Sequence, residues 1–359
     1  MFYQFLYPLF KYISGFNIFR YITFRATYAA ITALLIFFLL GPRFINHLKK
    51  LKFCQEIRED GPKTHLKKSG IPTMGGLLII FSIVISVLLW QDLSSLYTWL
   101  LVLSVVGFGL IGFIDDYIKI RKKNSSGLEV RFKLIAQFLF STLIVIILYL
   151  GKNEHTTFLY IPFLKNPLID LSVFYIPLSV ILLMGYSNAV NFSDGLDGLA
   201  SGLIIFVGIT FAILSYLTGR IDMTDYLNIP YIAQSGEITI VCTALIGAGV
   251  GFLWFNTHPA EIMMGDTGSL ALGGVIGVIA LIIKKEILLI VTGGVFVMEI
   301  FSVIIQVVYY KFTKKRVFKM APIHHHFELK GWKESKVVIR LWILGGLFAL
   351  LSLSTLKIQ

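Results

Sequence analysis

Between residues 188 and 198 the chain reads Asn-Ala-Val-Asn-Phe-Ser-Asp-Gly-Leu-Asp-Gly, wedged between two long apolar runs. Asn188, Asn191, Asp194 and Asp197 are costly at the edge of a membrane helix unless they face water, a partner or a ligand. On a helical turn Asp194 and Asp197, at i and i+3, would point the same way. Gly195 and Gly198 leave room for a phosphate or sugar to approach the backbone, or for a sharp turn. The plainer reading is a polar cap, with Ser193 or Asp194 starting the next helix. Two further acidic clusters favour chemistry. Asp115 and Asp116 end an apolar run, where the helix macrodipole disfavours anions, and they call for a metal or for Lys119 to relieve them. Asp266 lies in Met264-Gly265-Asp266-Thr267-Gly268-Ser269 ahead of a glycine-rich run. That stretch can serve as a helix-entry anion site, a cap, or a ligand set for a hard ion such as Mg²⁺.

Three further features accompany these. In Pro72-Thr73-Met74-Gly75-Gly76, Pro72 fits the first turn of a helix, and the glycines admit either a phosphate or a neighbouring helix. His324, His325 and His326 lack zinc-site spacing, which leaves phosphate binding, proton transfer or a solvated loop. Glu299 sits inside an apolar run, as a polar helix contact or as part of a cavity. Carboxylates, Mg²⁺ and surrounding lysines are what phosphoryl transfer from a nucleoside diphosphate requires. No Gly-x-x-x-x-Gly-Lys-Ser/Thr loop is present, which excludes a P-loop ATPase.

The elements that must position these residues are membrane helices. The chain of 359 residues is 56% hydrophobic and 14% charged, so it is an all-α polytopic membrane protein rather than a soluble domain. Ten apolar runs of spanning length cover residues 22–40, 71–90, 97–114, 134–150, 171–190, 199–217, 238–255, 268–283, 287–310 and 337–354. The eighth is rich in Gly273, Gly274 and Gly277 and should pack closely against neighbours. Most of the 32 lysines and arginines fall after the first, third and ninth runs, which puts those loops and the active site on the cytoplasmic face and both termini outside. This basic skirt suits anionic membrane lipids or a polyanionic substrate, not nucleic acid. Residues 1–10 lack the charge of a cleaved signal, and Tyr3, Tyr7, Tyr12 and Phe16 suit an interfacial segment. Cys54 and Cys242 suggest neither a disulfide framework nor a zinc site.

In order and spacing, Pro72-Thr73-Met74-Gly75-Gly76, Asp115-Asp116-x-x-Lys119, Asn188-x-x-Asn191-x-x-Asp194-Gly-x-Asp197-Gly, Met264-Gly265-Asp266-x-Gly268-Ser269 and His324-His325-His326-x-Glu328 resemble the polyprenyl-phosphate N-acetylhexosamine-1-phosphate transferases. The resemblance covers nearly the whole chain as one integral membrane transferase domain, residues 1–359. The triple histidine with Phe327 and Glu328 narrows it to the branch that moves phospho-MurNAc-pentapeptide from UDP-MurNAc-pentapeptide to undecaprenyl phosphate with Mg²⁺, releasing UMP. The resemblance implies a ten-helix homodimer of the bacterial cytoplasmic membrane. By motif position it makes Asp115 base or nucleophile, Asp116 its partner, Asp266 the principal Mg²⁺ ligand and Asn191 a weaker one. Lys68, Lys119 and Lys133 would be phosphate contacts, with Thr73 and Asp194 in the substrate site. Gly195, Leu196 and Asp197 would contact the uracil, Asn188 and Asn256 line the nucleotide pocket, and His324, His325 and His326 take the sugar-phosphate side, with His324 in a catalytic role.

The chain departs from the family in two places. Phe192-Ser193 replaces Leu-Thr, and Met263 stands where a phenylalanine would stack on uracil; a thioether supplies part of that contact. The alternatives are a sister N-acetylglucosamine-1-phosphate transferase, against which His324 to Glu328 argue, and a secondary transporter, whose charged groups should lie mid-bilayer in paired halves.

Overall fold

A computed structural model describes residues 1–51, 53, 70–122, 127–151, 155–162, 164 and 166–357. The short helix α1 (Phe2–Leu6) and two helical turns precede the long α2 (Ile22–Lys50), followed by α3 (Gly76–Trp90), α4 (Leu96–Lys122) and α5 (Val130–Leu150). A small antiparallel hairpin pairs β1 (Phe158–Leu159) with β2 (Ile169–Asp170), Phe158 opposite Asp170. Then come α6 (Tyr175–Ser193), α7 (Leu199–Thr218), the short α8 (Ile221–Leu227), α9 (Ser235–Asn256) and α10 (Gly265–Ile282). The chain ends with α11 (Glu286–Thr292), α12 (Gly294–Thr313), α13 (Ile323–Glu328) and α14 (Glu334–Ser354).

Among the described residues nine helices are long and apolar enough to cross a membrane, and α3 is apolar but only 15 residues long. All ten apolar runs therefore form helices, and the chain is a multi-pass membrane protein. The ninth run is broken, because the helix stops at Thr292 and restarts at Gly294.

Helix α10 is the hub. It packs against α3, α4 and α6, and 89% of its apolar window is buried. A helix that is apolar all round belongs inside the bundle, and small residues let its neighbours close on it. Gly273, Gly274 and Gly277 lie against Ser187, Phe108 and Leu183 in turn. At the other end of α2 from the basic loop, buried Arg25 makes a two-pronged ion pair with Glu237 at 2.7 and 2.6 Å and lies 4.2 Å from the Tyr3 ring. That contact ties the amino-terminal segment to the bundle.

Two boundaries differ from the sequence reading. Pro72 is not in a helical turn: α3 starts at Gly76, and residues 72–76 run alongside residues 263–264 instead. Met263 N–H donates to Pro72 C=O at 2.8 Å, and the N–H groups of Gly75 and Gly76 donate to the carbonyls of Met263 and Met264, both at 2.9 Å. Nor does α4 end at Asp115 and Asp116, because it continues to Lys122. The two carboxylates thus escape the helix terminus and its unfavourable dipole, and the basic last turn, with Lys119, Arg121 and Lys122, is the part that complements it.

Candidate active site

Side chains from four helices, α4, α5, α6 and α10, converge at the start of α10. Lys119 sits one turn beyond the α4 carboxylates, so its Nζ reaches Asp115 Oδ2 at 2.5 Å and Asp116 Oδ1 at 3.7 Å. The same ammonium lies 3.0 Å from Asp266 Oδ2, in the first turn of α10. Lys133, from the first turns of α5, meets that oxygen at 2.5 Å and Asp115 Oδ2 at 3.9 Å. Asp266 Oδ1 accepts from Asn191 Nδ2 at 2.9 Å, and the same amide donates to Ser269 Oγ at 2.8 Å.

Asp116 is nearly fully buried and has a different occupation. Its carboxylate accepts from Asp266 N–H at 3.1 Å, from Thr267 N–H at 2.9 Å and from Thr267 Oγ1 at 2.7 Å. It therefore caps α10 from another helix, satisfying donors that the first helical turn leaves open. Close approach makes this possible. A Cβ on Gly112 would lie 2.1 Å from Asp266 O, and one on Gly76 would lie 2.1 Å from Gly268 N. Gly76 thus admits a neighbouring helix, which was one of its two sequence readings. Thr73, 8% exposed, stands with Asp116 against Gly265.

Asp194 and Asp197 do not share a face. Asp194 follows the end of α6 and turns toward α10, where burial and the fields of Asp266 and Asp116 push its carboxyl well above the usual range against a Gly265 N–H bond. Asp197, 3% exposed, turns the other way: its Oδ2 accepts from Ala260 N–H at 3.2 Å and pairs with His258 Nδ1 at 3.0 Å. Neither Ser193 nor Asp194 caps α7, whose N-cap is Gly198 in the left-handed region at φ 80°. Leu196 is buried in the core, and Gly195 is the surface against which the His324 ring packs. Buried Asn256 holds the loop by accepting Gly198 N–H at 3.0 Å and donating to Ile262 C=O at 2.8 Å. Asn188 donates to Gln137 Oε1 at 2.7 Å across α5 and α6.

The three histidines take three partners. His324 is fully buried, its Nδ1 3.1 Å from Glu299 Oε2, and its Nε2, beside Gly195, has no hydrogen-bond partner among the described residues. Glu299 is thus a helix contact made to a histidine. His325 Nδ1 lies 2.8 Å from Glu328 Oε2. His326 Nδ1 accepts Lys319 N–H at 3.1 Å, and burial, with Lys330 and Lys319 nearby, lowers its pKa. Met263 is half-buried, its backbone in the ladder with residues 72–76. Lys68 and Cys54 lie outside the described residues. Cys242 is buried and forms no disulfide among the described residues.

Asp115, Asp116 and Asp266 each place a carboxylate oxygen within 4.8 Å of the others. Asp116 is committed to its cap, whereas Asp115 Oδ2 touches Lys119 without a well-angled hydrogen bond. Asp115 and Asp266 offer carboxylate oxygens of the kind a hard divalent cation prefers, while Asn191 turns its Nδ2 toward Asp266. Sequence reasoning missed Gln137, His258 and Glu334. Only His258, two residues after Asn256, stood near a recognised position; Glu334 reads as an ordinary acidic helix start.

A family profile described as Glycosyl transferase family 4 matches residues 98–284. A second, described as Phospho-N-acetylmuramoyl-pentapeptide-transferase signature 1, matches residues 68–80. Proteins named phospho-N-acetylmuramoyl-pentapeptide-transferase align end to end with this chain. That of Thermodesulfovibrio yellowstonii is 52% identical over 361 residues and that of Desulforapulum autotrophicum 54% over 360, each alignment covering 100% of both chains. That of Borreliella afzelii is 52% identical over 349 residues, covering 97% of this chain and 99% of its own.

Proposed function

The chain belongs to the phospho-N-acetylmuramoyl-pentapeptide-transferase family, and from that premise we propose that it transfers phospho-MurNAc-pentapeptide from UDP-MurNAc-pentapeptide to undecaprenyl phosphate, releasing UMP. The observation that carries the assignment to this site is the meeting of Asp115, Lys119, Lys133 and Asp266 at the entry of α10. Anionic substrates need cations on their oxygens, and Lys119 and Lys133 are poised to move from Asp266 to the phosphates when substrate arrives. Mg²⁺, held by Asp266 and Asp115 with Asn191, would neutralise the pyrophosphate and polarise the phosphorus under attack.

Asp115 orients the lipid phosphate or takes its last proton. The phosphate attacks the sugar-linked phosphorus directly, and UMP leaves. Lys119 pairs with Asp115 from one turn away on the same helix. His324, its Nδ1 held by Glu299, presents Nε2 toward Gly195 at the sugar-phosphate side. The loop 194–198 and Met263 take the nucleoside. The enzyme works on the cytoplasmic face of the bacterial inner membrane, both termini outside, as a homodimer. This extends to the whole chain acting as one transferase domain.

The test is UMP release by the purified protein with each substrate in turn. Release with UDP-MurNAc-pentapeptide and undecaprenyl phosphate, and none with UDP-N-acetylglucosamine, is expected. The reverse preference would move the chain to the sister specificity, and no release from either would remove the reading.

A further inference from the structure

Loop 194–198 lies between α6 and α7 and forms no regular hydrogen-bond ladder, so its buried backbone groups need partners from elsewhere. Asn256 supplies one, accepting Gly198 N–H. Glu334, at the start of α14, supplies another: its Oε1 accepts Asp197 N–H at 2.9 Å. The other Glu334 oxygen lies 3.8 Å from His258 Nδ1, the ring nitrogen that pairs with Asp197 Oδ2 at 3.0 Å. The side chain of Glu334 is 9% exposed, that of Asp197 1%, and that of His258 48%. A half-exposed imidazole thus covers two buried carboxylates. One lies in the loop and the other on a helix more than a hundred residues away in sequence.

We infer that Glu334 and His258 are positioning residues for the nucleotide: together they lock Asp197, and through it the loop that runs back to Asp194 and Gly195 beside the acidic cluster. Neither touches Asp115, Asp266 or the two lysines, so neither is a catalytic residue. A cation between the three side chains is not required, because the Asp197 and Ala260 N–H groups and the imidazole already supply donors to both carboxylates. Glu334 suits its place for a second reason: a carboxylate at a helix start is favoured by the macrodipole, so α14 holds it where the loop needs it. Trp342, two turns along α14, donates Nε1 to Leu199 C=O at 3.3 Å, which keeps this helix against the far side of the same loop. The geometry makes the last long helix part of the nucleotide subsite without contact to the nucleotide.

The inference rests on the proposed reading of the loop as the nucleoside subsite, and its test separates the two. UMP binding to the purified full-length enzyme with Mg²⁺ is measured by calorimetry, alongside KM for each substrate and kcat. Glu334→Ala orphans the Asp197 N–H and should weaken UMP binding about tenfold, the loss of one hydrogen bond to a charged group. KM for UDP-MurNAc-pentapeptide should rise to match. The KM for undecaprenyl phosphate, and kcat with both substrates saturating, should stay within about twofold, since the phosphate end keeps its cations. Glu334→Gln, which retains an acceptor for that N–H, should restore UMP binding to within about threefold. His258→Ala, a change at a half-exposed side chain, gives the same directional test should Glu334→Ala not fold. Unchanged UMP affinity in the folded variants, or an equal loss in kcat and both KM values without rescue by glutamine, overturns the inference. Wild-type enzyme that binds no UMP instead overturns the reading on which it rests.

Discussion

Replacing Asp116 with asparagine should damage the fold as well as the reaction, and the same change at Asp115 should not. Asp116 accepts three hydrogen bonds at the entry of α10, two from backbone N–H groups and one from Thr267 Oγ1. Asparagine keeps one acceptor oxygen and turns an NH₂ toward the remaining backbone donor. At least one charge-assisted bond is lost and one buried N–H is orphaned, which together cost about 2–4 kcal/mol. Asp115 differs: Leu128 N–H donates to its Oδ1 at 2.8 Å, which an amide oxygen also accepts, and the Lys119 ammonium that pairs with its Oδ2 keeps Asp266 as a partner. The assay is the apparent melting temperature of detergent-purified variants, read by intrinsic fluorescence, with UMP release measured on the same samples. Asp116→Asn should melt several degrees below wild type, and Thr267→Val, which removes only the hydroxyl bond, should fall between them. Asp115→Asn should melt with wild type while losing most of its activity. An inactive Asp116→Asn that melts with wild type would refute the cap and place Asp116 among the groups acting on substrate or metal.

Four other outcomes follow from the same geometry. Asp115→Asn should keep a residual rate that rises with pH as the lipid phosphate completes its second ionisation near a pKa of about 6; a stoichiometric burst of UMP from lipid-free wild type would instead indicate a covalent aspartyl intermediate. Excess EDTA should abolish UMP release, and Asp266→Asn should lose activity together with its Mg²⁺ titration, because an amide is a poor ligand for a hard cation; an unchanged titration removes Asp266 from the metal shell. Gly112→Ala should fail to yield monodisperse protein, since its Cβ would lie 2.1 Å from Asp266 O, which is backbone and cannot swing aside. Burial lowers Lys285 to about 8, so the native state resists its charged form. Wild-type stability should therefore rise between pH 8 and the unfolded pKa near 10.4, and Lys285→Met should be more stable by up to about 3 kcal/mol below that window, the gap closing within it; a gap independent of pH would deny the buried charge.

Repeated crossing of a membrane and the gathering of polar residues in ordered clusters are legible along the chain. Both are local properties. A spanning run must be apolar along its length, and an Asp at the end of such a run announces itself because it is costly there. The likeness to the transferases was legible for the same reason, since each motif is a short stretch of fixed spacing. Lys119 could be assigned to the Asp115 and Asp116 pair because i+3 and i+4 neighbours meet on any helix. Tertiary packing, by contrast, sets which of these side chains meet one another and which are taken up by the framework of the site. Asp115 and Asp116 are adjacent in sequence, yet successive residues on a helix point about 100° apart. One faces the lysines, and the other reaches into α10 as its cap. Asn256, Asn188 and Asp197 carry the polar groups expected of a nucleotide pocket, but their hydrogen bonds run to Gly198, Gln137 and Ala260. Glu334 could not be found from its neighbours at all. Its partner is 137 residues away, and a hydrogen bond between such distant positions exists only once the packing of α14 on α7 has brought them together.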